Sequence, residues 1–274
     1  MIFTAAYCNI GREQWGVLAR SHSKYIEHFN TMISNGFHYP LVVYTHNYVI
    51  KEMIASYNYP PNIFFCDISG VDTFLKEPYL SNEKEIINSP EFKTKIPNFR
   101  KGCIEHTYPE YTLLTHSKLC FLKHTRSLFP FSSYFAWIDF GYPTKSNICG
   151  WPVCTFDPNP ISINTSLLEQ KVHIGSKKIL GWRVSEEEML ACNHHAFYAF
   201  SFIIHNDIFD EFYRLYIEKL THWQIKGHSD DEQALLYQVY QENPSIFKIF
   251  KIDSVWGLFS ENLNTGAQNP QILV

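Results

Sequence analysis

Apolar and polar positions follow two alternating rhythms along the first 140 residues. Ile2–Cys8 is a short, nearly unbroken apolar run, and so are Pro40–Thr45 and Asn62–Asp67. Runs of this length predict strands buried on both faces. Between them the spacing turns helical. Trp15, Leu18, Tyr25, Phe29 and Met32 fall on one side of a helix, and Ile50, Met53, Ile54 and Tyr57 on one side of another. A β-α-β-α-β order predicts a parallel sheet with helices over its faces.

The rhythm breaks over residues 76–110, where Pro78, Pro90, Pro97 and Pro109 punctuate charged sequence. Short helices in an excursion that walls the binding cleft are expected there. A helix over about 112–129 then feeds the strand Tyr134–Phe140. Residues 143–165 read as loop, 171–184 as a shorter strand or hairpin, and His195–His205 as a strand. Phe209, Phe212, Tyr216 and Leu220 mark an amphipathic helix. Ser185–Glu188 and Ser229–Glu232 each set a hydroxyl and a carboxylate three apart, the pattern of a capping box. The expected fold is α/β: a mostly parallel central sheet flanked by helices, in a single domain over 1–274 with insertions.

Composition narrows the function classes. Hydrophobic residues make up 45% and aromatics 16%, enough for a large core and too much for a disordered chain. A net charge of −4 provides no basic footprint, so nucleic acid is not the expected partner. Seven cysteines include no Cys-x-x-Cys pair, and no apolar run is long enough for a bilayer. The start reads as a first strand without a basic leader, and a soluble, cytoplasmic protein is expected. Gly-x-Gly-x-x-Gly, Gly-x-Ser-x-Gly and His-x-x-x-His are missing, which counts against dinucleotide enzymes, α/β serine hydrolases and zinc catalysis.

The candidate chemistry centres on Ser133–Tyr142, where an apolar wall ends in Asp139 followed by Gly141. Ligands of open α/β sheets collect beyond the carboxyl ends of strands. A lone carboxylate there suits a metal ion or a sugar hydroxyl, and Gly141 allows close approach of a ligand. Hard cations such as Mg²⁺ or Mn²⁺ favour oxygen ligands and keep several waters, so one carboxylate plus a diphosphate can suffice. Asp230, Asp231 and Glu232 open a helix, where Glu232 can cap and an aspartate can act as general base on the acceptor side. Arg12, just past the first strand, has a planar fork suited to a diphosphate. Lys118 and Arg100-Lys101 are further phosphate candidates or solvated surface. His194 and His195, beside the following strand, are acceptor-side candidates for touching the sugar or a metal, and strand alternation lets at most one of them face a given site.

Taken in order, Gly11-Arg12-Glu13, the helix bearing Lys118, Trp137-Ile-Asp-Phe-Gly141, the His195-Ala-Phe197 strand and Asp231-Glu-Gln233 resemble the HtrL/YibB (WlaTC-like) family of bacterial surface-polysaccharide loci. The resemblance runs over nearly the whole chain. It implies a GT-A-type glycosyltransferase, with a nucleotide-binding half over about 1–142 and an acceptor half over about 143–274. It further implies a nucleotide-diphospho-sugar donor, a glycan or glycolipid acceptor, and a place in the cytoplasm that allows peripheral association with the membrane's inner face. Where such enzymes carry Asp-x-Asp, this chain has Asp139-Phe140-Gly141. Asp139 then either holds a divalent cation with water and phosphate, or grips the donor sugar. By the same resemblance Asp231, with Asp230 behind it, is the catalytic carboxylate. A non-catalytic nucleotide- or glycan-binding member of the family is the alternative.

Overall fold

β1 (Ile2–Tyr7), β2 (Leu41–Thr45) and β3 (Ile63–Asp67) form the first parallel unit, joined by α1 (His22–Ser34) and α2 (Asn47–Ser56). These coordinates come from a computed structural model and describe residues 1–16, 19–140, 161, 163–176, 183–191, 197–252 and 258–259. β2 is buried at every position, as a continuous apolar run requires. The first helix is shorter than its spacing suggests. Gly11 (φ 76°) and Gly16 (φ 58°) take left-handed backbone, and α1 starts only after Ser21, whose hydroxyl caps Lys24 N. Trp15 therefore sits in the preceding loop, and Leu18 lies outside the described residues. In α2 the buried side chains are Val49 and Met53, while Ile54 faces solvent at 59% exposure.

The excursion holds two short helices, α3 (Tyr79–Asn88) and α4 (Pro90–Lys95), as its prolines foretell. The expected helix over 112–129 is two: α5 (Pro109–His116) and α6 (Lys118–Leu128). Ser117 is the joint. Its hydroxyl donates back to Leu113 O at 2.6 Å and accepts from Phe74 N at 3.1 Å, a back-bond that bends helices. β4 (Tyr134–Ile138) follows, then β5 (Val172–Ser176), α7 (Glu186–Ala191), β6 (Tyr198–His205), α8 (Phe209–Ile225), α9 (Glu232–Glu242) and β7 (Phe247–Lys251).

The sheet order is β3-β2-β1-β4-β6-β5-β7, and β6 alone runs against the others. Alternate residues feed two cores. Val42, Tyr44, Phe135 and Trp137 face the layer containing α6, α8 and α9, whereas Leu41, Val43, Ala136 and Ile138 face α1 and α2. The protein is thus a three-layer α/β structure with a mostly parallel sheet. Having laid β2 and β3 to one side of β1, the chain returns to place β4 on the other. That reversal of strand order puts the crevice for a ligand at the carboxyl ends of β1 and β4. Among the described residues no helix is long and apolar enough to cross a membrane.

Candidate active site

Asp139 follows directly on β4, held in line by its N–H to Phe200 O at 3.0 Å. Alternation places it on the same face as Trp137, toward the layer that contains α6. There Trp137 Nε1 donates to Asp139 Oδ1 at 2.7 Å, and Lys118 Nζ, from the first turn of α6, reaches the same oxygen at 2.9 Å. Lys118 also donates to Glu232 Oε1 at 2.7 Å and Ala199 O at 3.0 Å. Its three donors are taken, and its side chain is only 9% exposed. Lys118 holds protein groups together, in place of the expected contact with phosphate.

One ammonium between two carboxylates leaves the trio with a net negative charge. Burial works against the Lys118 ammonium, but Asp139 and Glu232 outweigh it and hold the lysine charged. Burial raises the Asp139 pKa, Lys118 opposes this, and Glu232 adds to the rise. Asp139 keeps 31% side-chain exposure against 7% for Glu232, so it is the member of the trio open to a ligand. Glu232, expected on the acceptor side and in a capping box, is turned inward onto Lys118. The box at Ser185 forms reciprocally, with Ser185 N to Glu188 Oε2 at 2.8 Å and Glu188 N to Ser185 Oγ at 3.1 Å. The one at Ser229 does not, because a buried ammonium is a stronger partner for Glu232 than a backbone N–H. Asp231 caps α9 instead, accepting from Gln233 N at 3.0 Å and Gln233 Nε2 at 3.2 Å.

Asp230 points the other way. Its two oxygens each accept from Arg100, at 3.0 Å, in a fork whose guanidinium is 2% exposed. Arg100 also bonds Glu105 Oε1 at 3.2 Å and the carbonyls of Met189 and Leu190 at the end of α7. Burial would raise the Asp230 pKa, yet His106 and Arg100 outweigh it and hold the carboxyl below its ordinary value. An acid so enclosed anchors the turn and is not placed to take a proton from an acceptor. His116 completes the anchor. Asp230 O can only accept, so His116 Nε2 carries the hydrogen at 3.0 Å, and Nδ1 accepts from Tyr216 Oη at 2.6 Å. Burial pushes His116 down to about 4, which keeps it neutral.

Asp231 has the opposite electrostatics. Burial, followed by Glu232, Asp230 and Glu105, lifts its pKa well above the ordinary carboxylate range. A carboxylate that binds its proton more tightly is a stronger base once ionised. Burial raises the Tyr111 pKa, Glu232 and Asp231 add to the rise and Arg12 opposes it, so the acids of this turn and Arg12 act on one hydroxyl. Arg12 lies over the Tyr111 ring at 5.5 Å and donates to Tyr25 Oη at 2.8 Å. Trp15 stacks on Tyr108 at 3.9 Å and fixes the loop carrying Arg12 against the start of α5. A small hollow of about 70 Å³ at the carboxyl end of β1 is lined by Arg12, Arg20, Tyr25 and Tyr111 among others. Gly141, His194 and His195 lie outside the described residues.

The residues beneath the acidic turn carry no local sequence signal. Glu83 is buried, accepting from Gln224 Nε2 at 2.8 Å and from Ser229 Oγ. Burial pushes it up to about 7, against the bonds from Ser229 and Gln224. The folded state therefore binds a proton here that the unfolded chain releases near its ordinary 4.5. Stability falls as pH rises between those values and is level above about 7. Glu83→Gln is expected to remove this fall and to gain on the order of 3 kcal/mol at pH 8 while gaining little at pH 4. Thermal melts of both proteins across that range check it, and an equal difference at both ends would refute it.

Two places invite a divalent cation. At Asp139, Oδ1 already takes Trp137 and Lys118, and an incoming cation would face the ammonium beside it. Glu105, His106 and Asp230 bring ligand atoms within 4.8 Å of one another, but the Arg100 guanidinium is already ion-paired with both carboxylates and a cation there would face it. Among the described residues neither set matches the oxygen-rich shell a hard cation takes.

Comparison with known proteins agrees with the resemblance read from the motifs. The family described as a bacterial protein of unknown function (HtrL_YibB) matches residues 1–260. Protein HtrL of Escherichia coli (strain K12) is 24% identical over 267 residues, covering 89% of this chain and 85% of its own. The apo crystal structure of mouse xyloside xylosyltransferase 1 aligns over 90% of this chain and 84% of its own, with a TM-score of 0.40 and 9% identity. The family match takes in β1, Asp139 and the acidic turn alike, and the chain belongs to the HtrL/YibB family.

Proposed function

We propose that the protein is a glycosyltransferase moving a hexose-type sugar from a nucleotide-diphospho-sugar to a glycan or glycolipid acceptor, in the synthesis of surface polysaccharide or lipooligosaccharide. The whole chain acts as one GT-A-like domain in this reading, on the cytoplasmic side of the membrane. The observation that carries it is the crevice where strand order reverses. A guanidinium, Arg12, stands past β1, a partly exposed carboxylate, Asp139, stands past β4, and the base-like Asp231 opens α9 beyond Tyr111. The diphosphate lies by Arg12 and the donor sugar's hydroxyls by Asp139. In an inverting transfer the acceptor oxygen bonds the anomeric carbon as the bond to phosphate breaks. Asp231 takes the acceptor's proton, and the electron pair leaves with the nucleoside diphosphate.

The test is a thermal-shift screen of UDP-, GDP-, CMP- and dTDP-linked sugars, followed by analysis of released nucleotide. A donor that binds the native protein raises its melting temperature. Asp139→Asn, which leaves Lys118 its bond to Glu232, is expected to keep the fold and abolish transfer; undiminished turnover in that variant would remove this assignment. A second reading, binding of nucleotide or glycan without turnover, draws on Asp139 Oδ1 being already engaged by Trp137 and Lys118. Binding across a donor and acceptor panel with no product would favour it.

A further inference from the structure

The hollow beside β1 contains a second guanidinium that the motif pattern does not mark. Arg20 lines it together with Arg12. The two are tied through the backbone, Arg20 N to Arg12 O at 3.3 Å, and they share Tyr25. Arg12 bonds the Tyr25 hydroxyl, and Arg20 lies over the Tyr25 ring at 5.1 Å. Among the described residues no carboxylate lies within ion-pair distance of Arg20. The acid nearest in sequence that lines the hollow, Glu13, turns its carboxylate to the backbone N–H of His22 at the start of α1. Among the described residues that line it, two arginines outnumber the single carboxylate of Glu13, in a chain whose net charge is −4.

A departing diphosphate needs positive charge in contact with its oxygens. Among the described residues the groups around Asp139 do not fit a divalent cation, and Lys118 is committed to Asp139, Glu232 and Ala199 O. We infer that Arg12 and Arg20 together hold the diphosphate of the donor and supply the charge that a divalent cation provides elsewhere, so that nucleoside diphosphate binds without a metal ion. This rests on the transferase reading and adds to it a residue and a metal requirement. Two planar forks gathered on Tyr25 match the several oxygens of a diphosphate, which a single ammonium does not. Tyr25 keeps both forks in place.

The experiment measures binding of UDP, GDP, CDP and dTDP by calorimetry, in excess EDTA and then with added Mn²⁺. At least one is expected to bind in EDTA, with Mn²⁺ changing its affinity by less than about threefold. Arg20→Gln, at a half-buried loop position outside every helix and strand, is expected to melt like the wild type and to bind that diphosphate about ten- to hundredfold more weakly. Arg20→Lys should recover part of the loss, and the parent nucleoside, lacking phosphate, should bind both proteins alike. Binding that appears only with Mn²⁺, or an Arg20→Gln protein of undiminished affinity, would overturn the inference and leave the transferase reading standing. No binding of any nucleotide or nucleotide sugar, with or without metal, would remove both.

Discussion

Lys118→Met is expected to lower the melting temperature by roughly 10 °C at neutral pH. Methionine follows the lysine stem in length and flexibility, so packing changes little and the loss of charge dominates. Without the ammonium, Glu232 is a 7%-exposed carboxylate with no cation, and breaking a buried pair in this way costs about 3–5 kcal/mol. For a chain of this size each kcal/mol is worth about 2–4 °C. Asp139, at 31% exposure, adds little because water screens it. The sign of the pH dependence follows. Burying an unpaired charge is costly only while the carboxylate carries it, so the deficit should be smaller at pH 5 than at pH 8. Melting curves of Lys118→Met and of Lys118→Met with Glu232→Gln, at pH 5 and pH 8, decide the matter. The double variant should recover more than half of the loss at pH 8. A single variant within about 2 °C of wild type there would show that the pair contributes nothing.

That pair also marks the boundary of what could be read from sequence. β1 and β2 were legible because a strand covered on both faces must be apolar throughout, a local property; β3 has the same apolar run, yet it is the edge strand and leaves Phe64 41% exposed. The first turn of the expected Trp15 helix was not legible. Trp15 has helical spacing from Leu18, but the left-handed glycines on either side of the 3-10 turn put it in a loop, where its partner is Tyr108. Ser229 and Glu232 satisfy the capping pattern and form no box, since Glu232 is taken by a lysine 114 positions earlier and Ser229 by Glu83. Arg100 was the least legible of all. In sequence it is one cation in a charged stretch; in the fold it is buried, binding Glu105, Asp230 and two carbonyls from α7. Local pattern reports what a residue prefers, and the strongest partners here come from the far half of the chain. The candidate site divides in the same way. Asp139 and the acidic turn stand out as residues, whereas their link through Lys118 and the split between Asp230, forked onto Arg100, and Asp231, which caps α9, arise only on folding.

Asp231→Asn separates that split by experiment, because asparagine keeps one role and removes the other. As an N-cap, asparagine equals aspartate, so the bond from Gln233 N survives and α9 should start where it does now. As a base it is inert, and a general base contributes about 10²–10⁴-fold to rate. Removing the charge also relieves repulsion from Glu232, Asp230 and Glu105, the neighbours that lift the Asp231 pKa after burial. Because that folded pKa is raised, wild type loses stability as pH climbs through it, and the variant escapes this loss. The expected result is a protein at least as stable as wild type above neutral pH and indistinguishable from it in strong acid, with kcat down by about two to four orders of magnitude on the donor found in the thermal screen. A stabilised variant with full kcat would mean that Asp231 is a strained cap and nothing more. Loss of activity with loss of stability would instead place it beside Asp230 as an anchor. Gain of stability with loss of turnover is the result that a reacting carboxylate at the mouth of the crevice requires, since a group held at raised energy in the free enzyme is retained for what it does to the substrate.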